Sequence, residues 1–183
     1  EVEVASTAPS DPSSINNQPS STLDFVASNA TLDRYHEVIE PAGWRLDAYR
    51  KNPVFQNAHN YGDILFTLGK ALVTEARSVG GRQALCQRIQ FATEVNPVAR
   101  IAYGLYKGGF LNAVSVGFIP LRWEDATDGT KGTNETAPRR RYLEQELLEV
   151  SAVAIPANPD ALALGVKSGA VAKEDLVDTL DLL

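Results

Sequence analysis

From Leu23 to Pro156 the apolar residues come in short runs broken every few positions by glycine, proline or polar clusters, and a single stretch has a clear helical period. Runs of strand length fall at Leu23–Val26, Glu37–Ile39, Pro53–Asn57, Leu68–Ala76, Leu85–Ala92, Leu111–Pro120, Arg140–Glu146 and Leu147–Ile155. Gly80-Gly81 marks a turn between the fourth and fifth of these. The helical stretch opens with Asn96 as N-cap and Pro97 at the first helical position. Val98, Ile101, Ala102 and Leu105 follow on one stripe, and Gly108-Gly109 ends it. Shorter helices are expected at Pro159–Leu164 and Lys173–Leu182. The pattern predicts an α+β fold: an antiparallel, barrel-like sheet of about seven strands flanked by a few helices.

At 183 residues, with 44% hydrophobic and 22% charged side chains, the chain has the composition of one globular domain, or one domain with a tail. Residues 1–22, rich in serine, proline and asparagine, read as a flexible tail, residues 23–165 as the domain, and residues 166–183 as a helical extension. The segment Glu124–Pro138 reads as a mobile loop. The absence of methionine, the initiator included, is what a trimmed, processed or excerpted chain would show.

The net charge of −6 argues against nucleic acid or an anionic membrane as the main partner, and no apolar run reaches the ~18 residues of a membrane span. The charge is uneven. Residues 1–22 hold three acids and no base, residues 142–183 eight acids and two bases, and the stretch between is net basic, including Arg139-Arg140-Arg141. That triplet reads as a solvated segment. A lone cysteine, Cys86, permits no intramolecular disulfide or cysteine-based zinc site and fits a reducing compartment. Two histidines, His36 and His59, exclude a three-histidine metal site and limit any histidine base to two candidates. No metal or cofactor is called for.

Strand parity is the most informative clue to chemistry. In Ala113–Phe118, Val114, Val116 and Phe118 share one face, suited to the core. The other face carries Ser115 between the two smallest side chains, Ala113 and Gly117. It leaves room for an extended peptide, or alternatively packs under a neighbouring element. His59 stands at the end of a strand, where a histidine is either a base or incidental. In Glu146–Ile155, Leu148, Val150, Ala152 and Ala154 form an apolar face, and Glu149 shares the opposite one with Ser151. A mid-strand glutamate is costly to bury without a partner. His59 or one of the three arginines would serve.

These residues belong to a longer series in fixed order. It runs through Asp33-Arg34-Tyr35, Trp44, Lys51-Asn52-Pro53-Val54, Asn57-Ala58-His59-Asn60-Tyr61 and Leu68-Gly69-Lys70-Ala71. Asn112–Phe118, Glu146–Ser151 and Ile155–Pro159 complete it. The series, over about residues 22–165, resembles the prohead maturation proteases of tailed bacteriophages, whose fold is related to the herpesvirus assemblins. The resemblance implies a serine endopeptidase with Ser115 as nucleophile, His59 as general base and Glu149 as the acid orienting the imidazole. Glu146 is the alternative third member. Assemblins use a second histidine there, and none lies downstream of Ser115 here. The implied substrates are the scaffolding segment of the major capsid protein and the protease itself, cut inside the immature capsid (prohead) in the host cytoplasm. Assemblins work as dimers, and the apolar stripe of Lys173–Leu182 suits self-association as a homodimer or higher oligomer. The alternative reading is a catalytically silent capsid-assembly or scaffolding module with the same fold.

Overall fold

The computed structural model describes residues 21–126 and 137–164. Among them are nine strands and one α-helix. In chain order these are β1 (Thr22–Asn29), β2 (Glu37–Ile39), β3 (Trp44–Arg45), β4 (Val54–Asn57), β5 (Thr67–Val79) and β6 (Arg82–Phe91). There follow α1 (Pro97–Lys107), β7 (Ala113–Asp125), β8 (Arg140–Val153) and β9 (Ala163–Leu164). None of the described helices is long and apolar enough to cross a membrane.

The strands form one mixed sheet in the order β2-β8-β4-β5-β6-β1-β9, with β3 and β7 also pairing with β8. The ladders leave this sheet open rather than closed into a barrel, and it is not antiparallel throughout. The hairpins β5–β6 and β7–β8 are antiparallel, whereas β2, β3 and β4 run parallel to β8. The reason lies in local chain geometry. Single 3-10 turns at Pro41–Gly43 and Tyr49–Lys51 separate the three short strands, so the chain advances in steps along the edge of β8 instead of folding back. The two runs read as separate strands at Arg140–Glu146 and Leu147–Ile155 are one 14-residue strand, long enough to receive all three.

At the hairpin between β5 and β6, Gly80 and Gly81 adopt φ of +57° and +80°, the left-handed region a tight turn demands. The expected helix at Pro159–Leu164 does not form. Asn158 instead accepts a hydrogen bond from the Asp160 amide (2.9 Å), and the chain then lies between two strands. Val26 N donates to Leu162 O (3.0 Å) on the β1 side; Val114 N donates to Ala161 O (3.0 Å) and Ala163 N to Asn112 O (2.7 Å) on the β7 side. The loop expected at 124–138 starts later, because β7 runs to Asp125. Its remainder from 127 to 136, the tail up to residue 20, and the helix expected at Lys173–Leu182 lie outside the described residues.

The core forms where α1 lies on the sheet. Asn96 caps the helix, its Oδ1 accepting from the amides of Val98 (2.9 Å) and Ala99 (3.4 Å), with Pro97 at the first position. The buried face, however, is Ala99, Ala102 and Tyr106, while Ile101 and Leu105 face outward. Two alanines let the helix approach closely, and Tyr106 then fills the space with an edge-on contact to Phe25 (5.1 Å between ring centroids). Phe55 and Phe91 complete this aromatic cluster, and Phe118 packs with Trp44 and Tyr142 in a second one.

Candidate active site

The site is built around β8. In its ladder with β7, Gly117 pairs with Glu149 and Phe118 with Leu147, so Leu148 is left over as a bulge with its side chain outward. Leu147, rather than Leu148, therefore joins Val150 and Ala152 in the core. Past the bulge, Glu149 and Ser151 share the face opposite to Val150. Across the ladder they meet Gly117 and Ser115.

On its other edge β8 pairs with β4, Asn57 lying beside Ala152. At the end of β4 two consecutive non-glycine residues, Ala58 and His59, have φ of +52° and +57°. Each is held in a conformation that costs on the order of 1 kcal/mol or more, which persists only where surrounding bonds fix it. The bonds are present: Ala58 N donates to Ala152 O (2.9 Å), Asn60 N to Asn57 O (3.0 Å), and His59 N to Ser151 Oγ (2.9 Å). This left-handed turn swings the chain back over β8 and sets the imidazole above Glu149.

His59 Nδ1 lies 2.7 Å from Glu149 Oε1. The glutamate is 2% exposed, and its carboxylate takes two more hydrogen bonds, from Ser151 Oγ to Oε2 (2.6 Å) and from the Tyr61 hydroxyl to Oε1 (3.2 Å). Burial, and then the charge of Glu149, raise the pKa of Tyr61, so its phenol stays protonated and donating. The space for this arrangement exists because β7 offers glycine opposite the glutamate. A Cβ on Gly117 would sit 2.2 Å from Glu149 Oε1 and 3.0 Å from the Tyr61 hydroxyl.

The three arginines are engaged elsewhere. Arg139 binds Glu37 (2.9 Å), Arg140 binds Asp125 (2.6 Å) beneath the Trp123 ring, and Arg141 binds Glu40. Of the two partners the residues allowed for Glu149, it is the histidine that meets it. Glu146, beyond the Leu148 bulge, stands opposite Ile119 and beside Arg45. His36 sits in the turn before β2, its carbonyl accepting from Arg139 N (2.7 Å).

Ser115 and His59 both line a cavity of about 340 Å³. Among the described residues no hydrogen bond joins the two side chains; they meet only at the cavity wall. The far wall is carried by the stretch Ile155–Asn158, fastened to the loop after β1. Arg34 donates to Pro156 O, and Asn158 Nδ2 to Asn29 O and Oδ1 (both 3.0 Å). The Asp33-Arg34 and Ile155–Pro159 motifs are thus two sides of one opening, which includes the acids Asp33 and Glu37. Among the described residues no cluster of His, Cys, Asp and Glu is arranged to hold a metal ion.

Strand parity placed Glu149 and Ser151 on one face without giving Ser151 a role, and Tyr61 stood only as part of a motif. Gly117, a glycine in the interior of a strand, was the available signal that something approaches closely there.

The chain is 31% identical over 146 residues to a capsid polyprotein of Pseudomonas phage PAJU2, covering 78% of this chain and 20% of that protein. It is 27% identical over 142 residues to a prohead protease of Escherichia phage T5, covering 74% of this chain and 58% of that one. It therefore spans less than two thirds of either relative. No solved structure matches it. The family model described as caudovirus prohead serine protease matches residues 25–174, most of the chain, and on that match the chain belongs to the caudovirus prohead serine protease family.

Proposed function

We propose that the chain is a serine endopeptidase whose triad is Ser115, His59 and Glu149, and that it cleaves the scaffolding segment of a capsid protein, and itself, during prohead maturation. The observation that carries this reading is the 2.7 Å contact of His59 Nδ1 with a buried carboxylate, at the wall of a cavity that Ser115 shares. With Nδ1–H given to Glu149, the other ring nitrogen is the tautomer's free base. Ser115 Oγ, after rotating toward it, attacks the scissile carbonyl while the imidazole takes its proton. The same proton then goes to the leaving amine, the acyl group remains on Oγ, and water releases it by the reverse transfers. Glu149 stays ionised and stabilises the imidazolium.

The relatives named as a prohead protease and a capsid polyprotein support capsid protein as partner and the interior of the immature capsid, in the host cytoplasm, as the place of action. The segment 161–163, hydrogen-bonded to both β1 and β7, supports a barrel-like, assemblin-related architecture for the domain at 23–165. Self-association through Lys173–Leu182 belongs to the same reading. The missing Ser115–His59 hydrogen bond favours the alternative, a silent module with this fold, although such bonds often tighten only with substrate present.

Incubation with a capsid protein carrying its scaffolding segment tests the choice. Wild-type chain should release a discrete fragment, and Ser115→Ala, which removes one hydroxyl at a cavity wall, should release none while melting at the wild-type temperature. Cleavage by both proteins would remove Ser115 from the role. Cleavage by neither would favour the silent module.

A further inference from the structure

A single hydroxyl in this site holds both the carboxylate and the histidine. Ser151 is fully buried, and its Oγ donates to Glu149 Oε2 (2.6 Å) while accepting from the backbone amide of His59 (2.9 Å). A hydroxyl has one proton to give and lone pairs to accept with, so the two bonds use it without conflict. Followed around, the contacts close a ring: carboxylate Oε1 to the imidazole Nδ1, the His59 backbone amide to Ser151 Oγ, and Ser151 Oγ back to carboxylate Oε2. Both ends of the histidine residue are tied to the two oxygens of one glutamate. Because His59 has a positive φ, the amide bond to Ser151 is also one of the few that hold the left-handed turn in place.

Resting on the triad reading above, we propose that Ser151 is a positioning residue of this active site. It sets the rotation of the Glu149 carboxylate and the height of the imidazole in one step, and touches no substrate. Tyr61 adds the second donor, from the solvent side, at Oε1. The register explains why position 151 is suited to this. It lies two residues beyond Glu149, on the same face, beside the end of β4 where His59 begins its turn, and directly opposite Ser115.

Steady-state kinetics of Ser151→Ala with a peptide substrate test the role. Loss of a hydrogen bond to a charged group should lower kcat about 10- to 100-fold with KM little changed. The pH profile of kcat should also change, since a carboxylate no longer held at Oε2 shifts against the imidazole it orients. Ser151→Thr, which keeps an Oγ, should recover most of kcat. In a Glu149→Gln background the same Ser151→Ala change should cost much less, because the group it positions is gone. An equal loss in both backgrounds, or wild-type kcat and pH profile in Ser151→Ala, would overturn the proposal. On wild-type protein, the His59 amide should be protected from hydrogen exchange; fast exchange contradicts the ring of bonds even if the variants fail to fold. If Ser115→Ala retained activity, the triad reading itself would be at fault. Loss of activity in Ser115→Ala with an unaffected Ser151→Ala would sink this inference alone.

Discussion

A carboxylate removed from water is tolerated only when its charge is answered by donors, and Glu149 has three: an imidazole, a serine hydroxyl and a phenol. Replacing it by glutamine keeps the shape and removes the charge. Glu149→Gln is therefore expected to lower kcat by orders of magnitude with little change in KM, and Glu146→Gln to be mild. The reverse ranking in steady-state kinetics would move the role to Glu146. Gly117→Ala tests the same point from the facing strand. Its methyl would displace the carboxylate from 2.2 Å, so activity should fall steeply, at a stability cost of about 1–3 kcal/mol in a denaturant titration. An active Gly117→Ala enzyme would mean that the carboxylate position is not critical. At this scale much was legible in the sequence: parity put Ser115 and Glu149 on faces away from the core, and a histidine was one of the two partners open to a mid-strand Glu149. Ser151 escaped notice, since no pattern of spacing announces that a hydroxyl will bond a backbone amide 92 positions earlier.

Among the elements, most strands are where the alternation of apolar and polar residues put them, as are the hairpin glycines and the cap at Asn96. The helix face is the instructive exception. Val98, Ile101, Ala102 and Leu105 make the more hydrophobic stripe, yet the sheet receives Ala99, Ala102 and Tyr106, because close approach favours small side chains and the ring of Tyr106 fills a gap among aromatics. Truncating Tyr106 to alanine should cost about 3–5 kcal/mol, and truncating Ile101 within about 0.5 kcal/mol, read from urea midpoints. A larger loss at Ile101 would reverse the assignment of faces. The bulge at Leu148 was likewise invisible, since it depends on the register against β7 and not on any residue in β8 alone. The parallel pairing of β2, β3 and β4 also had no local signature: antiparallel and parallel strands this short read alike.

For the whole molecule, burial also sets the alkaline limit of stability. Tyr49 is 2% exposed, with its hydroxyl donating to Val54 O and accepting from Gln87, and burial pushes its pKa up to about 12. The unfolded chain releases that proton near pH 10, before the folded one does. The contribution is therefore complete below pH 10 and is lost as pH climbs toward 12, amounting to roughly 3 kcal/mol. Tyr49→Phe should flatten part of the fall in melting temperature over that window, and an unchanged slope would show that Tyr49 is not its source.

The central claim, that Ser115 is a nucleophile activated by His59, is tested most directly by the intact mass of the protein after treatment with a fluorophosphonate. The wild-type chain should gain one adduct, mapped by peptide sequencing to Ser115. Ser115→Ala should gain none, and His59→Ala should react at a rate lower by orders of magnitude. No adduct on the folded wild-type chain, or an adduct that persists in Ser115→Ala, would contradict the account.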